Sequence, residues 1–469
     1  MSIFEVEFFA FFLIVLTLNW ILRRWPPIWK IFILLASYLF YSFWDIKFLL
    51  VLIGTSILNY IFGTIIFKVP GPKYKKLTFL AVIVINLSIL GIFKYYNFFR
   101  TSFELMLRKV GILFSLPALE FILPIGLSFY IFKALSFDID LYSKKIGLPN
   151  FTDFLIYLAF FPELLSGPIS RPSKFIPQLN NKKYKITSKI YKNFILIFLG
   201  ILKKILLAGY LSTAIQDVLA VSKNYSSLTV LASIFIYSLV IYFDFSGYSD
   251  LAIGFSGLLG FHTPRNFNTP YLSSNIQEFW RRWHITLSSW IRDYIYIPLG
   301  GNRKGLLRKY FNLLVSMLLA GLWHGAGLHF IIWGVLHGIA LVLFHFIKDR
   351  WPSFIEKTPK ILMVPINFIF ISFAWVFFSQ NTRNALEIIK NIFRFSTRNQ
   401  ITSVFPPIIV AIIVISFLFL FFENKITMLL NKVRKIVPFT LWAIFIALLI
   451  SIIFMLGPKT IPPFIYFSF

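Results

Sequence analysis

Two histidines lie in stretches that are otherwise apolar or aromatic. His324 sits in GLWHGAGLH, residues 321–329, and His284 in EFWRRWHITLSSW, residues 278–290. An ionisable side chain at membrane depth requires a partner or a function. An imidazole has an ordinary pKa of about 6.5, so it can take up and return a proton near neutral pH. The two motifs therefore predict proton-transfer chemistry inside an apolar environment.

His324 lies deep within its apolar run. If a helix begins near Phe311, His324 lies about 20 Å along the axis, because each residue of an α-helix rises about 1.5 Å. Gly321, Gly325 and Gly327 surround it, which predicts a break in the helix. Irregular backbone at such depth is tolerated only against protein or a water-filled cavity. The alternative is a core histidine bonded to a carbonyl group.

The segment at residues 273–305, which contains His284, predicts an amphipathic helix that begins near Ser274. Ser274 followed by Gln277 is a capping-box signature. At the helical period, one face is aromatic and apolar, and the opposite face is charged and polar. The apolar face contains Trp280, Trp283, Leu287, Ile291 and Tyr294. Because His284 lies at its edge, its imidazole is expected to point into the bundle; the alternative is a packed or snorkelling histidine.

Weaker candidates for substrate binding accompany the two histidines. Asp244 and Tyr248, in YFDFSGYSDLAIG, either bind polar groups of a substrate or bond neighbouring helices. Trp283 and Trp323 precede the two histidines directly. Arg303 and Lys304, in the loop GGNRKG at 300–305, are suited to phosphate groups, although such a loop is often an ordinary cytoplasmic connection. His337 and His345 are interpreted as structural, and no metal site is predicted.

Composition defines the elements that must position these residues. The chain has 469 residues, of which 58% are hydrophobic and 14% charged. About eleven transmembrane helices are expected, together with re-entrant or interfacial helices. The candidates for both kinds lie in 4–22, 28–44, 48–67, 77–98, 121–141, 151–166, 192–214, 228–259, 311–347 (two helices), 361–379, 405–422 and 438–457. We therefore expect an all-α polytopic membrane protein that forms a single domain over residues 1–469.

The charges of the chain indicate its topology and exclude several functions. Glu5 and Glu7 stand where a cleaved signal peptide would carry basic residues. Basic residues cluster at 23–30 and 68–76 but not at 45–47, which predicts an extracytoplasmic N-terminus. The net charge of +28 is attributed to cytoplasmic loops against anionic membrane lipids, not to nucleic acid.

Further absences narrow the chemistry. The sequence contains no cysteine, which excludes a cysteine-linked acyl-enzyme, a cysteine-based zinc site and a disulfide. It also contains no P-loop, dinucleotide-binding fingerprint or HExxH motif. Nucleotide hydrolysis, hydride transfer and zinc proteolysis are therefore not predicted.

Several long motifs together resemble one family. They are LPIGLSFYIFKALSFDIDLY at 123–142, FFPELLSGPISRPSKFIPQL at 160–179, YFDFSGYSDLAIG at 242–254, NFNTPYLSSNIQEFWRRWHITLSSWIRDYIYIPLGGNRKG at 266–305, GLWHGAGLHFIIWGVLHG at 321–338 and the terminal FIYFSF. The sequence resembles the membrane-bound O-acyltransferase (MBOAT) family, with its core at about residues 120–380. Within the family it is most similar to the branch of alginate O-acetylase and of the membrane component of peptidoglycan O-acetylation.

The resemblance implies an acyltransferase of the cell membrane. It implies that His324 is the catalytic histidine and His284 the second histidine of the active site. The implied donor is acetyl-CoA from the cytoplasm, with no tightly bound cofactor. The implied acceptor is an extracytoplasmic polysaccharide, or a partner acetyltransferase of the SGNH-hydrolase type. His329 departs from the family pattern at a position that carries no catalytic role.

The chemistry of acyl transfer defines the roles that His324 and His284 would have. Transfer of an acyl group from a thioester to an alcohol needs a base for the hydroxyl, donors for the developing oxyanion and exclusion of water. His324 is the expected base. His284, or a backbone N–H at the glycine-rich break, is the expected oxyanion donor.

Two other functions stay open at this stage. The branch that transfers D-alanine to teichoic acid resembles the WRRWH region but does not usually continue as IPLGGNRKG, which favours the acetyl branch. A transporter of polysaccharide or lipid-linked sugar would also have many spans, but transporters tend to show internal repeats, and this sequence shows none.

The alternation of basic loops gives the first testable prediction. Reporter domains fused after residues 26 and 72 should both report a cytoplasmic location, whereas a fusion near residue 46 should not, because Lys and Arg are retained on the cytoplasmic side. Activity of a cytoplasmic and a periplasmic reporter at each position measures this. The inverted pattern would contradict an extracytoplasmic N-terminus.

Overall fold

The fold is α-helical and built around apolar helices. The computed structural model describes residues 3–118, 123–181, 190–398, 401–433, 436–458, 460 and 462–467, and no strand occurs within these ranges. In this part of the chain, 8 helices are long and apolar enough to cross a membrane, and two shorter apolar helices accompany them. Large apolar side chains on their outer faces, such as Leu80, Val84 and Leu87, are exposed, as lipid-facing positions require. The prediction of an all-α polytopic membrane protein is confirmed.

By its internal contacts the chain divides into two compact units, and the first consists of residues 1–190 and 255–264. Its helices are α1 Val6–Leu22, α2 Pro26–Ser42, α3 Ile46–Lys68, α4 Pro72–Lys109, α5 Leu127–Tyr142, α6 Phe151–Ala159, α7 Phe161–Leu164 and α8 Pro172–Phe175. Phenylalanine rings fill its core; the ring of Phe8, for example, lies 5.1 Å from that of Phe255. Lys133 and Glu163 form a buried ion pair at 3.1 Å within this unit.

One of the candidate apolar stretches of this unit does not form a spanning helix. Residues 151–166 are divided, because α6 ends at Ala159 and the short α7 begins at Phe161. Pro162 explains the interruption, because proline has no N–H to donate and its ring clashes with the carbonyl group four residues earlier. A helix of this length is too short to cross a bilayer.

The second unit consists of residues 191–254 and 265–469 and contains both histidine motifs. Its helices are α9 Ile190–Ile201, α10 Tyr210–Ala220, α11 Ser227–Leu258 (all but its last turn), α12 Ile276–Arg282, α13 Ile285–Ile291, α14 Leu306–His324, α15 Leu328–Arg350, α16 Pro352–Lys357, α17 Lys360–Ser379, α18 Thr382–Ile392, α19 Ile401–Val404, α20 Pro407–Val433 and α21 Phe439–Leu456. A π-helical turn, Leu202–Gly209, joins α9 to α10. Such wide turns are rare and occur often at functional sites.

The helices α14 and α15 form a hairpin with direct backbone contact. A Cβ atom on Gly321 of α14 would lie 2.3 Å from the carbonyl oxygen of Phe330, and one on Gly334 of α15 would lie 2.5 Å from that of Met317. Both positions therefore require glycine. The predicted break at the glycine-rich motif is confirmed, because α14 ends at His324 and α15 begins at Leu328.

The segment around His284 differs from the predicted continuous helix. Asn275, not Ser274, caps α12 by accepting a hydrogen bond from the N–H of Glu278 at 2.8 Å. The helix then stops after Arg282, His284 adopts a left-handed conformation with φ 40° and ψ 54°, and α13 starts at Ile285. The predicted continuous helix with a single apolar face from Trp280 to Tyr294 is therefore wrong. The predicted burial of His284 is confirmed, since its side chain is 0% exposed.

The helix α17 runs antiparallel to α15. Phe330, Trp333 and His337 of α15 pack against Phe378, Trp375 and Phe370 of α17, at centroid distances of 5.4, 5.7 and 5.6 Å. Rising residue numbers in one helix thus meet falling numbers in the other. His324 and the C-terminal end of α17 therefore share one end of this bundle, while the end of α15 and the start of α17 share the other.

The hairpin contact gives the second prediction. Gly334→Ala should destabilise the protein by about 1–3 kcal/mol, because the added methyl group meets a backbone oxygen that cannot move aside. Thermal unfolding of the detergent-solubilised protein measures this. Gly91→Ala, in α4, is the matched control: nothing lies within 4 Å of its added Cβ, and alanine is the better helix former. Equal unfolding temperatures for both variants would contradict the close packing.

Candidate active site

His324 is the last residue of α14 and lies in an aromatic enclosure. Its side chain is 3% exposed. Four rings surround its imidazole, at centroid distances of 4.8 Å for Trp323, 5.1 Å for Trp333, 4.9 Å for Phe378 and 5.5 Å for Tyr466. Aromatic walls of this kind exclude water, as a site that protects an acyl group requires.

His284 is held by its backbone and by one amide side chain. A left-handed conformation is uncommon for residues other than glycine, although histidine is enriched among the exceptions. The imidazole Nδ1 lies 3.1 Å from Oδ1 of Asn266. The same oxygen accepts hydrogen bonds from the N–H and the hydroxyl of Thr286, at 3.3 and 2.9 Å. Asn266 therefore orients both His284 and the start of α13.

These contacts assign the tautomer of His284. The N–H of Thr286 can only donate, so the atom of Asn266 that faces it is the carbonyl oxygen, and Nδ1 of His284 must donate to that oxygen. The proton is thus on Nδ1 and the lone pair is on Nε2. A neutral imidazole of this tautomer can accept a proton at Nε2.

The structure brings the two histidines to one place. The ring of Trp323 lies 6.0 Å from His284 and 4.8 Å from His324. Tyr466 lies 6.4 Å from His284 and 5.5 Å from His324. Both imidazoles therefore border the same small volume, with one indole and one phenol between them.

A buried ion pair holds Tyr466 in this position. Lys204, on the π-helical turn, pairs with Asp244 of α11. The Lys204 ammonium also donates to the carbonyl oxygens of Pro462 and Pro463, at 2.9 and 3.3 Å. The second carboxylate oxygen of Asp244 accepts from the N–H of Ile465 at 2.9 Å. This ion pair therefore binds residues 462–465 through their backbone, and Tyr466 follows directly.

The weaker candidates take different places. Asp244 lies in the ion pair, and the ring of Tyr248 stacks on Phe464 at 4.6 Å. Trp283 packs in the core, 4.9 Å from the ring of Trp375. Asp244 and Tyr248 thus contact the C-terminal segment that carries Tyr466. Their role in substrate binding, like that of Trp283 and Trp323, stays a prediction.

Arg303 lies on a large cavity at the far end of α14 from His324. We call it the basic cavity; its volume is about 690 Å³, and its lining includes Arg281, Arg292, Arg303, Lys309 and Lys348 together with Asp349. Trp280, Ser316 and Met317 also line it. Ser316 precedes His324 by about 12 Å of helix. Lys304 is exposed beside this cavity and is not part of its lining.

A second cavity lies at the His324 end of the bundle. We call it the polar cavity; its volume is about 360 Å³, and its lining includes Ser212, Gln216, Tyr237, Ser379 and Gln380 as well as Lys204 and Asp244. Ser379 ends α17, one residue after Phe378, which touches His324. The ion pair and the C-terminal segment therefore lie between this cavity and the histidines.

Sequence reasoning missed three residues of this site. Lys204 carried a recognisable signal, because a lysine inside the apolar run 192–214 is an intramembrane charge. Tyr466 belongs to the terminal FIYFSF motif, but nothing local to that motif indicates contact with His324. Asn266 carried no signal at all, since its bond to His284 depends on the break between α12 and α13.

Comparison with known proteins agrees with this architecture. The family model described as MBOAT, membrane-bound O-acyltransferase family, matches residues 33–382. The chain is 36% identical to the peptidoglycan O-acetyltransferase of Helicobacter pylori over 393 residues, covering 77% of this chain and 73% of that protein. It is also 36% identical to the probable alginate O-acetylase AlgI of Pseudomonas aeruginosa over 374 residues, covering 78% and 70%.

A more distant similarity extends to another activity. The teichoic acid D-alanyltransferase of Bacillus subtilis is 31% identical over 277 residues, covering 54% of this chain and 68% of that protein. The apolar helices define a polytopic membrane protein. The chain belongs to the membrane-bound O-acyltransferase family, and it is an acyltransferase.

The geometry of the site gives the third prediction. His324→Ala and His284→Ala should each lower acyl transfer by about 10²- to 10⁴-fold, because each removes a group that can exchange a proton with the reactants. Transfer of labelled acetyl groups in membranes, normalised to the amount of folded protein, measures this. His262→Ala is the control, since the His262 side chain is exposed and lies outside the second unit. Normal transfer by a well-folded His324→Ala protein would return that residue to a structural role.

Proposed function

We propose that the protein is an O-acetyltransferase that moves an acetyl group from acetyl-CoA in the cytoplasm to a hydroxyl group outside. The acceptor is a polysaccharide, either peptidoglycan or an alginate-like exopolysaccharide, or a partner acetyltransferase of the SGNH-hydrolase type that passes the group on. The names of the Helicobacter and Pseudomonas relatives support the acetyl group and the polymer classes. The observation that carries the proposal is the pair of buried imidazoles, His284 and His324, between two cavities at opposite ends of the bundle.

The basic cavity is the proposed donor site. Coenzyme A carries its phosphate groups at one end and the thioester at the other. Arg303, Lys309 and Lys348 line the basic cavity, where they would bind the phosphates. The volume of about 690 Å³ lies within the range of about 300–1,000 Å³ that ligand sites occupy. The acyl end would then extend along α14 toward His324.

The two histidines supply the proton transfers. One imidazole accepts the proton of the acceptor hydroxyl while the hydroxyl oxygen attacks the thioester carbonyl. The tetrahedral intermediate then collapses, the C–S bond breaks, and the thiolate takes up the proton. His324 adjoins the break before α15. The N–H groups of Leu328 and His329, the first two residues of α15, have no carbonyl group of that helix four residues before them and can stabilise the oxyanion. The tautomer of His284 suits it to accept a proton, which differs from the oxyanion-donor role expected from the sequence.

Tyr466 is the third polar side chain of the site. Its ring borders both imidazoles, so its hydroxyl can relay or donate a proton between the reactants. The ion pair of Lys204 and Asp244 supports this role indirectly, because it fixes the segment that carries the tyrosine. We regard direct transfer from thioester to acceptor as the simplest scheme.

The polar cavity is the proposed approach of the acceptor. Its hydroxyl and amide side chains, such as Ser212, Gln216 and Gln380, suit a hydroxyl-rich ligand. A coenzyme A thioester cannot cross a bilayer, so an acceptor outside the cell requires transfer through the protein. We place the basic cavity on the cytoplasmic side, the polar cavity on the outer side and the protein in the cytoplasmic membrane, with its N-terminus outside.

The fourth prediction tests the direction of transfer. In sealed proteoliposomes of known orientation, labelled acetyl-CoA on the side of the basic cavity should acetylate a polysaccharide enclosed on the other side, with coenzyme A released on the donor side. His324→Ala proteoliposomes are the control for leakage.

Three outcomes would contradict parts of this proposal. Transfer only when donor and acceptor share one side would exclude the cross-membrane route. Transfer of D-alanine but not acetyl groups would move the protein to the activity of the Bacillus relative. Movement of intact polysaccharide without acylation would indicate a transporter.

A further inference from the structure

Three aromatic side chains form a buried cluster that contacts His324 through one of them, Trp333. We call Trp280, Trp333 and His337 the indole–imidazole cluster. The ring of His337 lies 5.2 Å from that of Trp280 and 4.8 Å from that of Trp333, and the two indoles lie 5.7 Å apart. His337 and Trp333 are 0% exposed and Trp280 is 8% exposed. Trp333 is also part of the aromatic wall around His324, but the proton transfers described above use none of the nitrogen atoms of these three side chains.

The polar atoms of this cluster have no partner among the described residues. Both ring nitrogens of His337 and the indole nitrogens of Trp280 and Trp333 are buried and form no hydrogen bond with them. Buried polar groups of native proteins are nearly always hydrogen-bonded, because an unsatisfied group loses its hydration without compensation. Three such side chains in mutual contact therefore require an explanation in terms of a bound polar group.

The cluster lies between the basic cavity and His324. Trp280 lines the basic cavity together with Ser316, whose hydroxyl is also buried without a partner among the described residues. On the other side, the ring of Trp333 lies 5.1 Å from that of His324. A molecule that extends from the basic cavity to His324 would thus pass the cluster.

The hydrogen-bonding capacity of the cluster matches an amide group. Each indole N–H can only donate, while a neutral imidazole has one donor and one acceptor nitrogen. Together they offer three donors and one acceptor. An amide carbonyl accepts up to two hydrogen bonds and its N–H donates one, so an amide uses most of this capacity at once. A simple hydrocarbon chain would use none of it.

We propose that the indole–imidazole cluster binds an amide group in the arm of the acyl thioester donor and so sets the depth at which the thioester meets His324. The proposal rests on the proposed function, because it takes the donor to be a thioester of an amide-bearing arm such as that of coenzyme A. It assigns His337 a binding role in place of the structural role expected from the sequence.

Two readings of the cluster make opposite predictions. If the polar atoms are merely unsatisfied groups of the core, replacing them by apolar groups of similar shape should leave the stability of the protein unchanged or raise it. The affinity for the donor should then not change. If they bind an amide, the same replacements should weaken donor binding. Trp442 of α21 offers a matched control, because its indole nitrogen is likewise buried without a partner among the described residues and its side chain lines neither cavity.

The fifth prediction compares the variants Trp280→Phe, His337→Phe, His337→Gln and Trp442→Phe in the full-length protein. Isothermal titration with coenzyme A should give a Kd about 3- to 10-fold higher for Trp280→Phe and His337→Phe, the loss expected for one neutral hydrogen bond. The KM for acetyl-CoA should rise to a similar extent. His337→Gln, which keeps a donor and an acceptor, should recover part of the binding, and Trp442→Phe should match the unaltered protein.

The outcomes separate this inference from the proposed function. Normal Kd and KM in well-folded Trp280→Phe and His337→Phe proteins, with raised thermal stability, would overturn the amide site while leaving the acetyltransferase intact. A similar loss of binding in His337→Gln and His337→Phe would also count against it, because shape and not hydrogen bonding would then decide affinity. If the unaltered protein neither binds coenzyme A nor uses acetyl-CoA, the proposed function itself fails.

Discussion

The ion pair of Lys204 and Asp244 is the constraint on which the arrangement of the site depends. A buried charge that loses its partner destabilises a protein by about 3–5 kcal/mol, since no water compensates for it. Here the pair alone does not satisfy either group. The remaining ammonium protons are directed to the carbonyl oxygens of Pro462 and Pro463, and the free carboxylate oxygen to the N–H of Ile465. Both charges are therefore satisfied only when the C-terminal segment is bound, which places Tyr466 beside the histidines.

The neighbouring residue, Lys203, is also a buried charge that is satisfied by carboxylates, in a second network. Lys203 lies between Asp250 and Glu423, at 2.7 Å from each, and Glu423 accepts a further bond from the hydroxyl of Tyr242 at 2.5 Å. Two consecutive lysines thus pair with carboxylates on different sides. The π-helical turn that carries them widens the backbone and allows both side chains to point into the protein. The two networks join the turn to α11, α20 and the C-terminal segment, so the frame around the site is held by ionic contacts as well as by packing.

The parts of this architecture that could be predicted from sequence are those set by local pattern. The apolar runs indicated the long helices, and the glycines around His324 indicated the break between α14 and α15. The predicted cap lies one residue before the observed one, because Ser274 and Gln277 have the same three-residue spacing as Asn275 and Glu278. The left-handed turn at His284 was missed for a different reason: periodicity alone predicts a continuous helix across it. Lys204 contacts residues more than 200 positions away in the sequence. No local sequence pattern indicates such contacts, so the position of Tyr466 beside the histidines could not be predicted.

The remaining question is why an acyltransferase site should consist so largely of aromatic rings. Water competes with the acceptor for a thioester, and aromatic walls around His324 exclude it. The same walls remove the solvent that would otherwise satisfy polar atoms. Every polar group retained in such a place is therefore held by the protein, as Asn266 holds His284, or is available to the substrate. In the proposed amide site, the nitrogens of Trp280, Trp333 and His337 belong to the second category. Trp280 lines the basic cavity, and the ring of Trp333 lies 5.1 Å from that of His324.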